Sequence, residues 1–440
     1  MGRYLNVGND GFRAIRKGRY VDKTGLISFI NETLGTADKL TCVSRARRFG
    51  KSFAVKMLCA YYDKSCDSSE LFDGLEIAED PSYRKYLNKY DVIYLDMTLF
   101  ISLCGNMKDI MAYIQEQVIQ EIADVYPAAA GEEHLSMAMA KASASAGIKF
   151  IVIIDEWDAL FREAKNDTDL QKEYIRLLRG LFKSSLTDSM IEAAYMTGIL
   201  PIKKYGTQSA MTDFREYTML SPKRLAKYAG FTETEVRQLC EDYGMDYGEA
   251  KRWYDGYSFK NVPSVYNPNA IMRAMQNQEF GSYWTETETY EALKIYIDMD
   301  FDGLREAILS MLGGEKCPVN TGTFQNDLTS LRSRDDVMVL LIHLGYLAYD
   351  GEAEKVYIPN EEIRQEFFLA LKNSGHWEIA KLVKESDELL RAALNLNGEK
   401  VADAIEKMQF EGYGSEVLLV GISYDERTKK HECVIEKWRK

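Results

Sequence analysis

Apolar positions along this chain fall into two kinds of run. Leu40-Thr41-Cys42-Val43, Val92-Ile93-Tyr94-Leu95, Phe150-Ile151-Val152-Ile153-Ile154 and Ile191-Glu192-Ala193-Ala194-Tyr195-Met196 are largely unbroken stretches without strict alternation. Strands buried on both faces of a parallel sheet have this pattern. Amphipathic stretches lie between them, such as Phe53 to Tyr62. Strand and helix signals that alternate in this way predict an α/β sheet with crossover helices over residues 1–217. The alanine-rich stretch from Pro127 to Gly147 predicts a surface helix.

The pattern changes near Thr218. Ser221-Pro222 starts a helical segment, and Thr232-Glu233-Thr234-Glu235 is a capping box ahead of Val236 to Tyr243. Trp253-Tyr254-Asp255-Gly256-Tyr257 reads as an aromatic turn, and Tyr266-Asn267-Pro268 opens a further helix. Residues 218–290 are therefore expected to form a helical lid subdomain. Over 291–375 the helices lead into Val337 to Leu344, Gly345-Tyr346-Leu347-Ala348-Tyr349 and Lys355-Val356-Tyr357-Ile358-Pro359. A helix, a tight glycine turn and two short strands fit a winged-helix-like region. Such a unit binds DNA in some proteins and only packs in others. In 376–440, Glu416 to Tyr424 and Lys429 to Trp438 predict a β-hairpin too small to bury a core by itself.

Candidate chemistry sits where the first strand meets its helix. Ser44-Arg45-Ala46-Arg47-Arg48-Phe49-Gly50-Lys51-Ser52 places Gly-Lys-Ser at a strand-to-helix turn. Backbone N–H groups at a helix N-terminus, together with the helix dipole, favour phosphate. Lys51 would reach the β- and γ-phosphates, and the Ser52 hydroxyl would ligate Mg2+. A P-loop has glycine five positions before Gly50, where this chain has Arg45. Arg45, Arg47 and Arg48 offset that loss, because guanidinium forks suit phosphate oxygens. The competing reading is a basic helix start on a solvated surface.

A second segment tips the balance. The run Phe150 to Ile154 exits into Asp155-Glu156, at the sheet edge where open α/β sheets bind ligands. Asp155 would hold Mg2+, and Glu156 would orient or deprotonate the attacking water. A helix N-cap is the plainer role for such an aspartate. The order of the two motifs favours a nucleotide site, with Arg45, Arg47, Arg48, Phe49, Gly50, Lys51, Ser52 and Asp155 around it. Thr197, at the exit of the strand from Ile191, is the candidate for a polar sensor beside the γ-phosphate; a strand ending in an ordinary turn is the alternative. Asp96, at the exit of its own strand, either borders the site or, more simply, ends the strand.

Composition narrows the class. The chain has 440 residues, 46% hydrophobic and 28% charged, which suits a globular protein of several domains. It contains no apolar stretch of membrane-spanning length and no apolar signal core after Met1. Seven scattered cysteines and four histidines offer no metal-binding spacing and suggest reduced thiols in a cytoplasm. A net charge of −13 does not favour nucleic acid, although local basic patches such as Arg45 to Lys51 could still bind it. Lys223 to Lys227 reads as a solvated helix face. The pattern leaves the oligomeric state open.

The motifs taken together resemble bacterial AAA-ATPase-like proteins that carry a C-terminal PD-(D/E)xK nuclease-type domain. The carriers are Tyr20-Val21-Asp22-Lys23-Thr24, the segment Ser44 to Ser52, Ile154-Asp155-Glu156-Trp157-Asp158, Tyr195-Met196-Thr197-Gly198, Trp253 to Tyr257, Tyr266-Asn267-Pro268 and Leu418-Leu419-Val420-Gly421-Ile422. The arginine-rich loop is that family's own version of the motif. The resemblance implies ATP and Mg2+ at Gly50, Lys51, Ser52 and Asp155, on a P-loop NTPase parallel sheet. It also implies a nuclease centre of Asp and Glu-x-Lys, which is not found between about 376 and 416; Glu436-Lys437 lacks the intervening residue. The tail looks like a nuclease-type domain shortened by an internal deletion, so no nuclease activity is expected.

Three functions follow as expectations: an ATP hydrolase coupled to domain movement, an ATP-binding switch with little turnover, and a DNA-handling or nuclease protein of a mobile element or defence system.

Overall fold

A computed structural model describes residues 2–202, 211–228, 230–284, 291–298, 301, 303–325, 331–373, 386, 417–425 and 430–438. The chain divides into two units, 1–375 and 376–440. Among the described residues no helix is long and apolar enough to cross a membrane.

The unbroken apolar runs form the sheet. Strands β1 (Leu40–Ser44), β2 (Asp91–Asp96), β3 (Phe150–Asp155), β4 (Ile191–Gly198) and β5 (Arg215–Tyr217) lie in the order β2-β3-β4-β1-β5. Every pairing is parallel. Successive side chains of a strand point to opposite faces, and both faces here are covered. Cys42, Ile93, Leu95, Val152, Ile154 and Met196 enter one core with helices Ile110–Val125, Leu135–Ala146 and Thr168–Phe182. Val43, Val92, Ile151, Ile153, Ala193 and Tyr195 enter the other with Gly25–Asn31 and Lys51–Tyr62.

The alanine-rich stretch is not a plain surface helix. Helix Leu135–Ala146 buries Leu135, Ala138, Met139, Ala142 and Ser143, one face at helical spacing packed into the core beside helices Ile110–Val125 and Thr168–Phe182.

The motif Tyr20-Val21-Asp22-Lys23-Thr24 works as a fastener. Asp22 accepts the Thr24 amide at 2.8 Å and the Glu76 amide at 2.7 Å, while Lys23 pairs with Glu235 at 2.6 Å. Glu235 belongs to the capping box of helix Glu233–Tyr243, which forms as expected. That helix packs with Tyr247–Tyr254 and Pro268–Asn277 around a separate core. A small antiparallel sheet of Phe231–Thr232, Val262–Tyr266 and Tyr257–Phe259 accompanies them. The purely helical expectation missed it, since its strands are short and Pro263 interrupts the longest.

Further along, helix Arg334–Leu344 ends at Gly345, whose φ of +91° is left-handed. Ala348–Asp350 then pairs antiparallel with Lys355–Tyr357, which also pairs with Cys317–Pro318. Helix Glu361–Asn373 follows.

This last helix carries two carboxylates one turn apart, Glu362 and Glu366, which are 1% and 0% exposed. Glu362 accepts the Tyr283 amide at 2.9 Å, and Glu366 accepts the Ser282 hydroxyl at 3.0 Å. Burial pushes Glu362 up to about 8 and Glu366 up to about 7; the neighbouring Glu366 charge adds to the first and Arg48 opposes it. A raised folded pKa means that the fold prefers the protonated acid. The stability this contributes is whole below the unfolded value near 4.5 and is lost as pH rises toward 8. Glu362→Gln, which stays neutral, is expected to melt at least ~2 °C above the parent at pH 8 and to show a flatter melting profile between pH 5 and 8. Parallel melting profiles for the two proteins would contradict this.

In the second unit, Val417–Asp425 pairs antiparallel with Lys430–Trp438, from Val417↔Trp438 to Asp425↔Lys430. The stretch 376–416, where the nuclease residues were sought, lies outside the described residues apart from Ser386.

Candidate functional site

The site forms where β1 and β3 end on the same edge of the sheet. Beyond Ser44 the chain stays tied to β4 for one residue, through the Arg45 amide on the Gly198 carbonyl at 3.0 Å. It then turns through Arg48 and Gly50, with φ of +65° and +82°. A Cβ built on Gly50 meets nothing within 4 Å, so glycine serves conformation here and leaves open space over the turn. Helix Lys51–Tyr62 starts at once, with no side-chain cap on its first amides. N–H groups without a side-chain cap at a helix start suit an anion.

Lys51 is 7% exposed. Its ammonium donates to the Arg45 and Ala46 carbonyls at 3.2 and 3.1 Å and lies 3.7 Å from Glu156 Oε1. Burial lowers its pKa, and Glu156, Asp158 and Asp155 pull the other way. The Ser52 hydroxyl lies beside the Asp155 carboxylate. Burial raises Asp155 to about 6, with Glu156 and Asp96 adding to the shift while Ser52 and Lys51 oppose it. Lys51, Ser52, Asp155 and Glu156 therefore converge at one helix N-terminus. A carboxylate buried among other carboxylates beside a hydroxyl is a donor set that a hard dication would relieve. The residues present fit Mg2+ and a triphosphate.

The arginines depart from expectation. Arg45 does not lie out over the turn; it is 0% exposed, and its Nη1 donates to the Ser44 and Tyr217 carbonyls at 2.9 and 2.8 Å. Its side chain is thereby tied to the ends of β1 and β5. Arg48 donates to the Tyr283 carbonyl at 2.8 Å. Phe49 is buried and meets Tyr257 edge-on, with ring centroids 5.1 Å apart. A Cβ on Gly345 would come within 2.7 Å of the Ala46 Cβ. Loop residues Ala46, Arg48 and Phe49 thus dock on the region after 218, and Arg47 is half-buried beside them.

Thr197 is fully buried and gives its hydroxyl proton to the Val43 carbonyl at 2.9 Å, locking β4 to β1. Asp96 lies across from Asp155 in register and also caps helix Met97–Leu103, accepting the Leu99 amide at 3.1 Å. Arg215 forms an exposed ion pair with Asp38.

Sequence reading gave Asp158 no role of its own and missed Arg162. Asp158 is buried and accepts the Ile199 and Leu200 amides at 3.2 and 3.0 Å. Arg162 pairs with Glu156 and lies 3.2 Å from Asp158. Their i,i+4 spacing was the available signal.

Residues 6–207 match a family model described as "Predicted AAA-ATPase". An uncharacterized protein in the vnfD 5' region of Azotobacter chroococcum mcd 1 is 28% identical over 300 residues, covering 65% of this chain and 54% of that protein. The alignment thus spans about half the length of this curated relative. Two solved structures are also similar. The Aeropyrum pernix ORC2 protein in ADPNP-ADP complexes shares 13% identity, over 84% of this chain and 94% of that one, with a TM-score of 0.26. A DNA replication initiation factor shares 8% identity, over 89% and 97%, also with a TM-score of 0.26. At that similarity neither structure carries an argument about this chain.

Proposed function

We propose that the chain binds ATP with Mg2+ at the N-terminus of helix Lys51–Tyr62 and hydrolyses it. The observation that carries this reading is the meeting of Lys51, Ser52, Asp155 and Glu156 at an uncapped helix start. The matched family description for residues 6–207 supports it.

Each group has a role that its surroundings permit. The helix amides and Lys51 take the β- and γ-phosphates, with the lysine giving up the Arg45 and Ala46 carbonyls to do so. Ser52 and Asp155 would hold Mg2+, which supplies charge neutralisation across the phosphates. Glu156 takes a proton from water as the water oxygen bonds to the γ-phosphorus. The bond from that phosphorus to the β,γ-bridging oxygen breaks, and its electron pair leaves with ADP. Little else is asked of the protein in such a transfer than position and charge. Arg45 is left out of the phosphate contacts and supports the loop from beneath.

A switch with little turnover is the second reading. It is favoured by the docking of Arg48 on Tyr283 and Phe49 on Tyr257, through which occupancy of the loop would bear on the later region. In either reading domain movement would follow from those contacts. Nucleic acid has no part in the proposal, since the charge of −13 opposes it.

Phosphate release from ATP by the purified chain, with Mg2+ and with a chelator, separates the readings. Metal-dependent release supports hydrolysis; binding without release leaves only the switch; equal release by Lys51→Ala removes the site from both.

A further inference from the structure

The hydrolysis reading leaves open what aims Glu156. Its backbone has a φ of +51°, in the left-handed region that a glutamate rarely adopts. The residues on either side are fixed: the Glu156 amide bonds Asp155 Oδ1 at 3.0 Å, and the Trp157 amide bonds the Thr197 carbonyl at 3.0 Å. A strained residue held from both sides delivers its side chain in one direction.

The two carboxylate oxygens of Glu156 have different neighbours. Oε2 pairs with Nη2 of Arg162, while Oε1 is the oxygen 3.7 Å from the Lys51 ammonium. The Lys51 side is where the γ-phosphate belongs if the proposed function holds. Arg162 is itself anchored. Its side chain is 13% exposed, and its Nε lies 3.2 Å from Asp158 Oδ2. Asp158 in turn accepts two amides just beyond β4, from Ile199 and Leu200. A Cβ at Gly198 would collide with Asp158 Oδ1 and the Trp157 ring, so a side chain there would force these groups to shift.

We propose that Arg162 is a positioning residue for ATP hydrolysis: it fixes Glu156 through Oε2 and leaves Oε1 facing the attacking water. This inference rests on the hydrolysis reading above. The water proton then passes to Oε1, and the arginine, which touches neither water nor phosphate, holds the acceptor still. The logic matches a base oriented by a third group behind it.

Steady-state kinetics and nucleotide titration on Arg162→Ala, Arg162→Lys, Glu156→Gln and the Arg162→Ala/Glu156→Gln double variant test it. Arg162→Ala is expected to lower kcat ~10–100-fold, within the usual yield of a positioned acid or base, and to change the ATP Kd less than ~3-fold. Arg162→Lys keeps the cation and loses the fork, so it is expected to recover part of kcat. In the double variant, removing Arg162 is expected to add nothing to the loss from Glu156→Gln, because the arginine acts through that residue.

Additive losses, or a loss of ATP binding with the fold intact by circular dichroism, would overturn the proposal. A parent protein that binds ATP without turnover would overturn it together with the hydrolysis half of the reading. Failure of the site itself would show separately, as ATP binding undiminished in Lys51→Ala.

Discussion

Lys51→Ala is expected to weaken ATP binding by at least ~100-fold, to the point where titration with a fluorescent ATP analogue shows no saturation at micromolar nucleotide. The lysine is the buried cation at the helix start, and in the free protein two backbone carbonyls and Glu156 share it. Charge-assisted hydrogen bonds contribute ~1.5–3 kcal/mol each, and two such bonds to phosphate suffice for that loss. Alanine is a good helix former, so the helix itself is retained. The variant should therefore fold and melt near the parent, although the Arg45 and Ala46 carbonyls lose a partner. A normal melting profile with absent binding distinguishes a lost ligand contact from a lost fold. Saturable binding in the variant at the parent's affinity would place the phosphates elsewhere.

The second large effect lies in turnover. Glu156→Gln is expected to cut phosphate release ~100-fold or more while leaving ATP binding within a few fold, since a general base contributes ~100- to 10,000-fold and glutamine cannot take the proton. Glutamine keeps the shape and can still accept a hydrogen bond from Arg162, so the left-handed backbone at this position has no new reason to change. Single-turnover measurement of phosphate release resolves the chemical step from product release. Undiminished turnover in Glu156→Gln would mean that Glu156 is not the proton acceptor.

The sheet was legible because burial on both faces leaves a mark in the sequence: β1, β3 and β4 are runs of apolar residues without strict alternation. Lys51, Ser52 and Asp155 could be found because chain order places a strand exit before each. Arg45 could not be read this way. An arginine at such a turn looks basic and exposed, and only the fold shows its side chain buried on the carbonyls that end β1 and β5. The docking of Arg48 depends on a carbonyl 235 positions away, a separation over which local patterning carries nothing. Thr197 was rightly placed at the tip of its strand, yet which carbonyl takes its hydroxyl proton is a matter of strand order, with β4 lying beside β1. The short strand holding Pro263 was hidden by its own proline. Arg162 stayed unseen as a partner of Glu156, because its i,i+4 spacing points only to Asp158 and no spacing rule encodes the left-handed turn at Glu156.

The central claim is that one metal-bound triphosphate lies between the amine of Lys51 and the carboxylate of Asp155. A crystal structure of the chain with Mg2+ and a non-hydrolysable ATP analogue tests it most directly. The account predicts the γ-phosphate on the Lys51 ammonium, the metal beside Ser52 and Asp155, and Glu156 Oε1 facing the phosphate. Nucleotide bound away from the start of helix Lys51–Tyr62, with Lys51 still on the Arg45 and Ala46 carbonyls, would contradict it.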